Sequence, residues 1–153
     1  MAGGKNDVPT PDEFMLTCRY LVEIDGSEIE TYFQEMDGLS ATIEVLEYQE
    51  GGENTKTHKL LGQTKYGNIV LRRGVTKSLK VFDWIKKCIE GKAIERKTGA
   101  VILCNKKGDP VVRYTFDRAW PCRYEGPALT SLSSELAIET FEIAHEGLKV
   151  EKA

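Results

Sequence analysis

The chain of 153 residues lacks the motifs by which most metal-binding proteins are recognised from sequence. It has only two histidines, His58 and His145, and its four cysteines are far apart with no C-x-x-C pair. Paired C-x-x-C motifs and H-E-x-x-H are the spacings in which these residues usually bind zinc. We therefore expect no metal site and no cofactor, and we interpret the cysteines as reduced, apolar core residues.

Motifs for covalent or phosphate chemistry are also missing. There is no G-x-S-x-G elbow, no G-x-G-x-x-G turn and no phosphate-binding loop, because Gly51 and Gly52 are not followed by lysine and serine. Carboxylates are frequent, but solvated charged strand faces explain them more simply than a catalytic acid pair. We predict that the chain is not an enzyme.

The chain has no excess of basic residues and no long apolar run. Its formal net charge is −3, and its lysine pairs, such as Lys86 with Lys87, are isolated. Nucleic-acid binders usually carry a basic excess or a basic face. No stretch approaches the ~20 apolar residues of a membrane span. We expect no sequence-specific nucleic-acid binding, no membrane insertion, and assembly in the cytoplasm.

Alternating apolar and polar residues dominate the sequence and predict strands. Leu16 to Ile24 alternate up to the Asp25-Gly26 turn, and a strand with Ile29, Thr31 and Phe33 follows. Another strand carries Ile43 and Val45 on one face and Leu46 and Tyr48 on the other. The segment N-I-V-L-R-R-G is predicted to form a further short strand.

The second half of the chain predicts further strands. The clearest carries Val112, Tyr114, Phe116 and Trp120, and we expect it to end at Pro121 and Gly126-Pro127. The last strand changes phase near Thr140, since Leu136 and Ile138 share one face and Phe141 and Ile143 share the other. This change predicts either a bulge or an exchange of packing partners.

One helix is predicted, from about Ser78 to Glu90, with Ser78 as N-cap and Gly91 at its C-terminal end. Its predicted core face consists of Leu79, Phe82, Ile85 and Ile89, and Trp84 and Cys88 widen it. About seven strands and one helix without βαβ alternation favour a mainly β fold. We predict two packed antiparallel sheets forming a β-barrel or sandwich with one flanking α-helix.

An ordered series of segments resembles the tail-tube proteins of contractile phages and extracellular contractile injection systems, and more distantly the tube protein of type VI secretion. The segments are Y-L-V-E-I-D-G with F-Q-E-M-D-G-L, V-L-E-Y-Q-E-G-G-E-N-T, H-K-L-L-G-Q-T-K-Y-G-N-I-V-L-R-R-G, S-L-K-V-F-D-W-I, F-D-R-A-W-P-C-R-Y-E-G-P-A-L and A-I-E-T-F-E-I-A-H-E-G-L. The resemblance implies a tail-tube domain over residues 14–149, a flexible N-terminal arm at 1–13 and a C-terminal tail at 150–153.

The resemblance implies an inner-tube subunit of a virion tail or injection particle. Six copies would form a ring with one continuous barrel around a channel that conducts cargo or DNA, and the rings would stack. The implied partners are other copies, the sheath, the baseplate or tube initiator, the terminator, and luminal cargo or a tape-measure protein. The solvent face of the helix, consisting of Asp83, Lys86, Lys87 and Glu90, would face the sheath.

Residues 49–67 are polar and glycine-rich, and they are longer than a usual connection. We interpret them as a ring-stacking loop, in which charges and two leucines would contact the next ring. The predicted contact residues are Glu50, Gly51, Gly52, Glu53, Lys56, Lys59, Leu60, Leu61 and Gly62. Two alternatives remain at this point: a secreted hexameric ring that carries effectors without stacking, and a monomeric β-barrel binding module.

Overall fold

The computed structural model describes residues 20–28, 33–52, 55–92 and 94–153. The predicted N-terminal arm, the strand residues Leu16 and Cys18, and the predicted strand residues Ile29 and Thr31 lie outside these ranges. The elements, in chain order, are β1 (Tyr20–Ile24), β2 (Ser27–Glu28), β3 (Glu35–Asp37), β4 (Ala41–Tyr48), β5 (His58–Tyr66), β6 (Ile69–Gly74), α1 (Lys80–Ile89), β7 (Lys97–Cys104), β8 (Pro110–Glu125), β9 (Ile138–Ala144) and β10 (Gly147–Lys152).

Eight of these strands form one antiparallel sheet in the order β2-β1-β7-β8-β9-β6-β3, with β10 also paired to β8. The 16-residue strand β8 belongs to both halves of the sheet. Its first half pairs with β7 and β10, and its second half pairs with β9. Arg118, between the halves, has a φ of 52°, which few residues other than glycine adopt. The fold is therefore mainly β and sandwich-like, as predicted, and the described strands do not close into a barrel.

The core lies between the two halves of the sheet and extends under the helix. The largest fully buried apolar side chains come from four strands, β6 to β9, which confirms that the alternating segments supply the core: Ile69, Leu71, Val101, Phe116, Phe141 and Ile143. From α1, Val81, Trp84 and Ile85 are buried against them. The Asp25-Gly26 turn is also confirmed, since it joins β1 to β2 with Ile24 opposite Ser27.

The helix differs from its prediction in both its start and its face. It begins at Lys80, and Leu79 occupies the N-cap position without a side-chain hydrogen bond. Of the predicted core face, Ile85 is buried and Phe82 half-buried, but Leu79 and Ile89 are 60% and 72% exposed. The core face is turned towards Trp84, because the Trp84 indole N–H donates to the Glu95 carbonyl at 3.0 Å.

The predicted bulge near Thr140 is wrong, because β9 pairs with β6 in unbroken register from Ile138 to Ile143. The phase changes because Glu139 faces the core in place of an apolar residue, while Leu136 and Ile138 are exposed. The bulge lies instead in the neighbouring strand β8, between Pro121 and Arg123. Pro121 therefore does not end β8, since a bulge is one of the few places where a strand tolerates proline.

Candidate assembly surfaces

Strands β4 and β5 form a two-stranded antiparallel sheet separate from the main sheet, which we call the arm (residues 41–66). Val45 lies opposite Leu61, Leu46 opposite Leu60, and Tyr48 opposite His58. The predicted long loop at 49–67 is therefore too long, because its second half is strand β5. Sequence alternation did not identify β5, because its two leucines, Leu60 and Leu61, are adjacent and lie on opposite faces among polar residues.

Both faces of the arm carry exposed apolar pairs. Directly opposite residues share a face, and successive residues alternate between faces. The pair Val45–Leu61 therefore lies on one face, and the pair Leu46–Leu60 lies on the other. All four side chains are exposed, and Leu61 is 83% exposed. An isolated two-stranded hairpin is at best marginally stable in water. The arm thus presents two apolar faces that the described part of this chain leaves uncovered.

The base of the arm has two close approaches to glycine, one by backbone at Gly38 and one by a side chain at Gly67. A side chain at Gly38 would collide with the Asn68 carbonyl, and a side chain at Gly67 would collide with the Ser40 hydroxyl. The Gly67 N–H donates to the Ser40 carbonyl at 3.1 Å. The arm therefore leaves the body in a direction fixed by backbone contacts.

Aromatic packing anchors the same base to the core. The Tyr66 ring lies 5.5 Å from the ring of His145, which in turn lies 5.9 Å from the ring of Phe116. His145 is buried, and its Nδ1 lies 3.0 Å from the Gly147 carbonyl oxygen. His145 therefore packs and hydrogen-bonds within the body at the base of the arm.

The predicted ring-stacking residues lie along the outer part of the arm. Glu50, Gly51 and Gly52 follow β4 at the tip, and Lys56 precedes β5. Lys59, Leu60, Leu61 and Gly62 belong to β5 itself. Gly62 faces Glu44 at the irregularity of the ladder, where a side chain would come within 2.9 Å of Glu44 Cβ. Glu53 lies outside the described residues.

The predicted sheath-facing residues of α1 are brought together on its solvent face. Asp83, Lys86, Lys87 and Glu90 are all exposed. Lys86 Nζ lies 3.9 Å from Glu90 Oε1, and Lys87 Nζ lies 3.7 Å from Glu95 Oε2. Exposed ion pairs of this kind contribute little to stability, so this face is a mixed-charge surface available for contact.

The opposite end of β6 contains a buried polar cluster that sequence reasoning missed. Arg73 and Glu139 lie directly opposite each other in the β6–β9 ladder, and Arg73 Nε donates to Glu139 Oε1 at 2.5 Å. The Tyr124 hydroxyl donates to Glu139 Oε2 at 3.2 Å. The guanidinium also lies over the Phe141 ring, 5.0 Å from its centroid. Two charged residues at inward positions of alternating strands were the signal that could have identified this cluster.

The electrostatics of the cluster follow from its burial. Desolvation, and then the adjacent Glu139 carboxylate, raise the pKa of the Tyr124 hydroxyl above its usual range, because both disfavour a phenolate. The hydroxyl therefore remains a hydrogen-bond donor to Glu139. Arg73 is only 1% exposed, and a buried guanidinium of this kind requires its carboxylate partner.

A cleft of about 220 Å³ opens beside this cluster. Its polar walls are Arg73, Glu139 and Tyr124, and its other lining residues are Val75, Thr76, Ser78, Leu79 and Phe82. Arg73 Nη2 donates to the Ser78 carbonyl at 3.1 Å. Arg73 Nη1 is buried and has no hydrogen-bond partner among the described residues. The cleft thus combines apolar walls with the edge of a buried polar cluster.

The described residues were searched for metal-binding groups and for membrane-spanning helices. No group of three or more histidine, cysteine, aspartate or glutamate side chains is arranged to hold a metal ion there. In the same ranges, no helix has the length and apolar character needed to cross a membrane.

The sequence profile of the family described as "T4-like virus tail tube protein gp19" matches residues 16–149. The chain belongs to this tail tube family. None of the curated proteins matches the chain. Solved structures agree with the family: a chain in the six-fold symmetrised baseplate of the anti-feeding prophage is 26% identical, with a TM-score of 0.82, covering 89% of this chain and 94% of that chain.

Two further tail-tube-like folds are similar. A chain of the sheath–tube complex of the PVC extracellular contractile injection system, in its extended state, is 23% identical with a TM-score of 0.82, covering 94% of this chain and 95% of that chain. Hcp1 from Flavobacterium johnsoniae is 16% identical with a TM-score of 0.53, and the match covers 92% of this chain and 97% of that chain. The family match and the similar folds together make this chain a tail-tube-like protein, of the kind found in phage tails and contractile injection systems.

Proposed function

We propose that the chain is a structural inner-tube subunit that assembles as hexameric rings, and that the arm stacks one ring on the next around a channel for cargo or DNA. It acts by self-association and without catalysis. The channel belongs to a virion tail or an injection particle assembled in the cytoplasm. The subunits contact the sheath through the α1 face with Asp83, Lys86, Lys87 and Glu90.

The arm is the observation that carries this proposal. Its two exposed apolar pairs, Val45–Leu61 and Leu46–Leu60, lie on opposite faces. Covering both faces at once requires more than one surface, because a single flat partner covers only one face of a hairpin. Insertion between copies in a stack meets that requirement. The charged pair Glu47–Lys59 beside them adds contacts that salt would weaken.

The relatives support the proposed partners and symmetry. One was solved in a six-fold symmetrised baseplate, another in a sheath–tube complex, and a third in a tube-terminating cap. Baseplate, sheath and terminator are accordingly the partners we propose for this chain. Heterologous contacts that close give rings, and repeated ring-on-ring contacts give a filament.

The test is assembly of purified protein, imaged by negative stain, with variants of the arm. We expect tubes from the parent, and rings or monomers without tubes from a deletion of residues 51–57. The point variant Leu61→Ser should have the same effect, because it removes an exposed apolar contact without disturbing the core. Ile89→Ser is the matched control, since Ile89 is similarly exposed but lies on α1.

The outcomes separate this function from its rivals. Tubes of normal length from both arm variants would contradict the proposal that the arm stacks one ring on the next. Parent rings that never stack would favour an effector-carrying ring, and a parent that stays monomeric at high concentration would favour a binding module. Circular dichroism of each variant checks that the body remains folded.

A further inference from the structure

We propose that the cleft at the end of β6 is the receptor for the arm of a copy in the neighbouring ring. This inference rests on the proposed stacking function and adds the surface that receives the arm. The occupant is a second copy of this chain, bound through the outer part of β5 around Leu61. The receiving surface consists of Val75, Leu79, Phe82, Tyr124 and Arg73.

The first argument is the position of the two surfaces on the molecule. Asp37 of β3 lies opposite Val70, and Ala41 of β4 lies opposite Tyr66. The arm therefore continues the β3–β6 ribbon outward beyond the start of β6 at Ile69. The cleft lies at the other end of β6, beyond Gly74. About 17 Å of strand separates the two ends, at about 3.3 Å per residue.

Surfaces at opposite ends of one subunit suit an open, head-to-tail stack. A contact between different surfaces repeats from copy to copy, whereas a two-fold contact uses the same surface on both copies. The arm and the cleft differ in shape, since one is a projecting hairpin and the other is concave. They therefore fit a heterologous contact that propagates along a tube axis.

The second argument is that the cleft end has apolar surface to match the arm. Leu79 and Val75, at the mouth of the cleft, are 60% and 50% exposed. Leu136, which touches Gly74, is exposed beside them. Exposed apolar side chains gathered around a concave site mark binding surfaces more often than random exposure. Leu61 on the arm is the corresponding projecting side chain.

Disulfide trapping between copies tests this contact. One batch carries Leu61→Cys and a C-terminal tag, and the other carries Leu79→Cys, both with the exposed Cys122 changed to serine. The batches are mixed as monomers, assembled and oxidised. Because only one batch carries the tag, the mixed dimer differs in mass from both homodimers on a non-reducing gel. Leu79 and Leu61 are both exposed, so neither replacement leaves a core cavity.

The matched control replaces Leu79→Cys by Ile89→Cys. Ile89 is also exposed, but it lies ten residues along the same segment, which is about 15 Å away along a helix. A disulfide needs Cα atoms within about 7 Å. We expect about tenfold more mixed dimer with Leu79→Cys than with Ile89→Cys, and we expect it in tubes and not in unstacked rings.

Each result decides the question. A mixed dimer that is specific to Leu79→Cys and to tubes supports the cleft as receptor. Tubes that give equal dimer with both partners, or none with Leu79→Cys, overturn the receptor while the stacking function stands. A second variant, Leu79→Ser, should abolish tubes and leave rings. If the parent forms no tubes, the stacking function and this contact fail together.

Discussion

Similar apolar residues are buried in the body of this protein and exposed in its arm. In the body, Ile69, Leu71 and Phe141 are fully buried against one another. In the arm, Val45, Leu46, Leu60 and Leu61 form exposed cross-strand pairs that no described residue covers. The body is therefore stabilised by its own core, whereas the apolar side chains of the arm contribute no burial within the described part of the subunit. Variants in the two regions should therefore separate folding from assembly.

The largest effect should follow from breaking the buried cluster of the body. Glu139→Gln leaves the Arg73 guanidinium charged and buried without its carboxylate. We expect the free energy of unfolding to fall by about 3–5 kcal/mol, measured by urea denaturation. Glu47→Gln on the exposed arm is the control, and it should change the value by less than about 0.5 kcal/mol. Equal losses from the two variants would contradict this contrast.

The next effect distinguishes the buried from the exposed face of α1. Ile85→Ala removes a buried side chain, so the free energy of unfolding should fall by about 2–5 kcal/mol. Ile89→Ala removes an exposed one of the same type and should cost less than about 0.5 kcal/mol. Thermal denaturation of both variants checks this. A larger loss of unfolding free energy for Ile89→Ala than for Ile85→Ala would mean that Ile89 is buried, as the sequence predicted.

Glycines provide a third comparison between the regions. A Cβ at Gly99 of β7 would collide with the Phe116 ring in the core, so Gly99→Ala should cost about 1–3 kcal/mol. A Cβ at Gly51, at the tip of the arm, would meet nothing. Gly51→Ala should therefore leave the urea midpoint of the isolated subunit unchanged. A lower midpoint for Gly51→Ala would show that the tip is packed on the body.

The smallest effect is electrostatic and lies on the surface of the body. A hydrogen bond from Arg96 holds the pKa of the Glu146 carboxyl below its usual range. A lowered pKa in the folded state adds stability above the usual pKa of glutamate, about 4.3, and this stability is lost as the pH falls through the lowered value.

The direction of this pH dependence can be tested by comparing the stability of the parent and of Arg96→Met at several pH values. The parent should be slightly more stable at pH 7, and the difference between the two should shrink as the solution is acidified below about pH 4. Urea midpoints at several pH values measure it. A difference that grows on acidification would mean that the pair does not act in this direction.

Local patterns in the sequence determined most of the body. Alternation identified the strands around Val22, Leu71 and Phe116, and Asp25-Gly26 identified a turn, because residue period and turn chemistry act over a few neighbouring residues. The ordered motifs also identified the family. For the assembly surfaces, the contact residues that the sequence predicts on the arm stay a prediction, and the sequence reading mistook strand β5 for loop.

The remaining features, the buried face of α1 and the buried polar cluster, depend on contacts between segments that are far apart in the sequence. The face of α1 depends on the Trp84 hydrogen bond to Glu95, and the inward position of Glu139 depends on Arg73 in another strand. Apolar periodicity shows which side chains favour burial, but it does not show what will bury them. Leu61 and Leu79 are apolar and yet exposed, because none of the described segments packs over them.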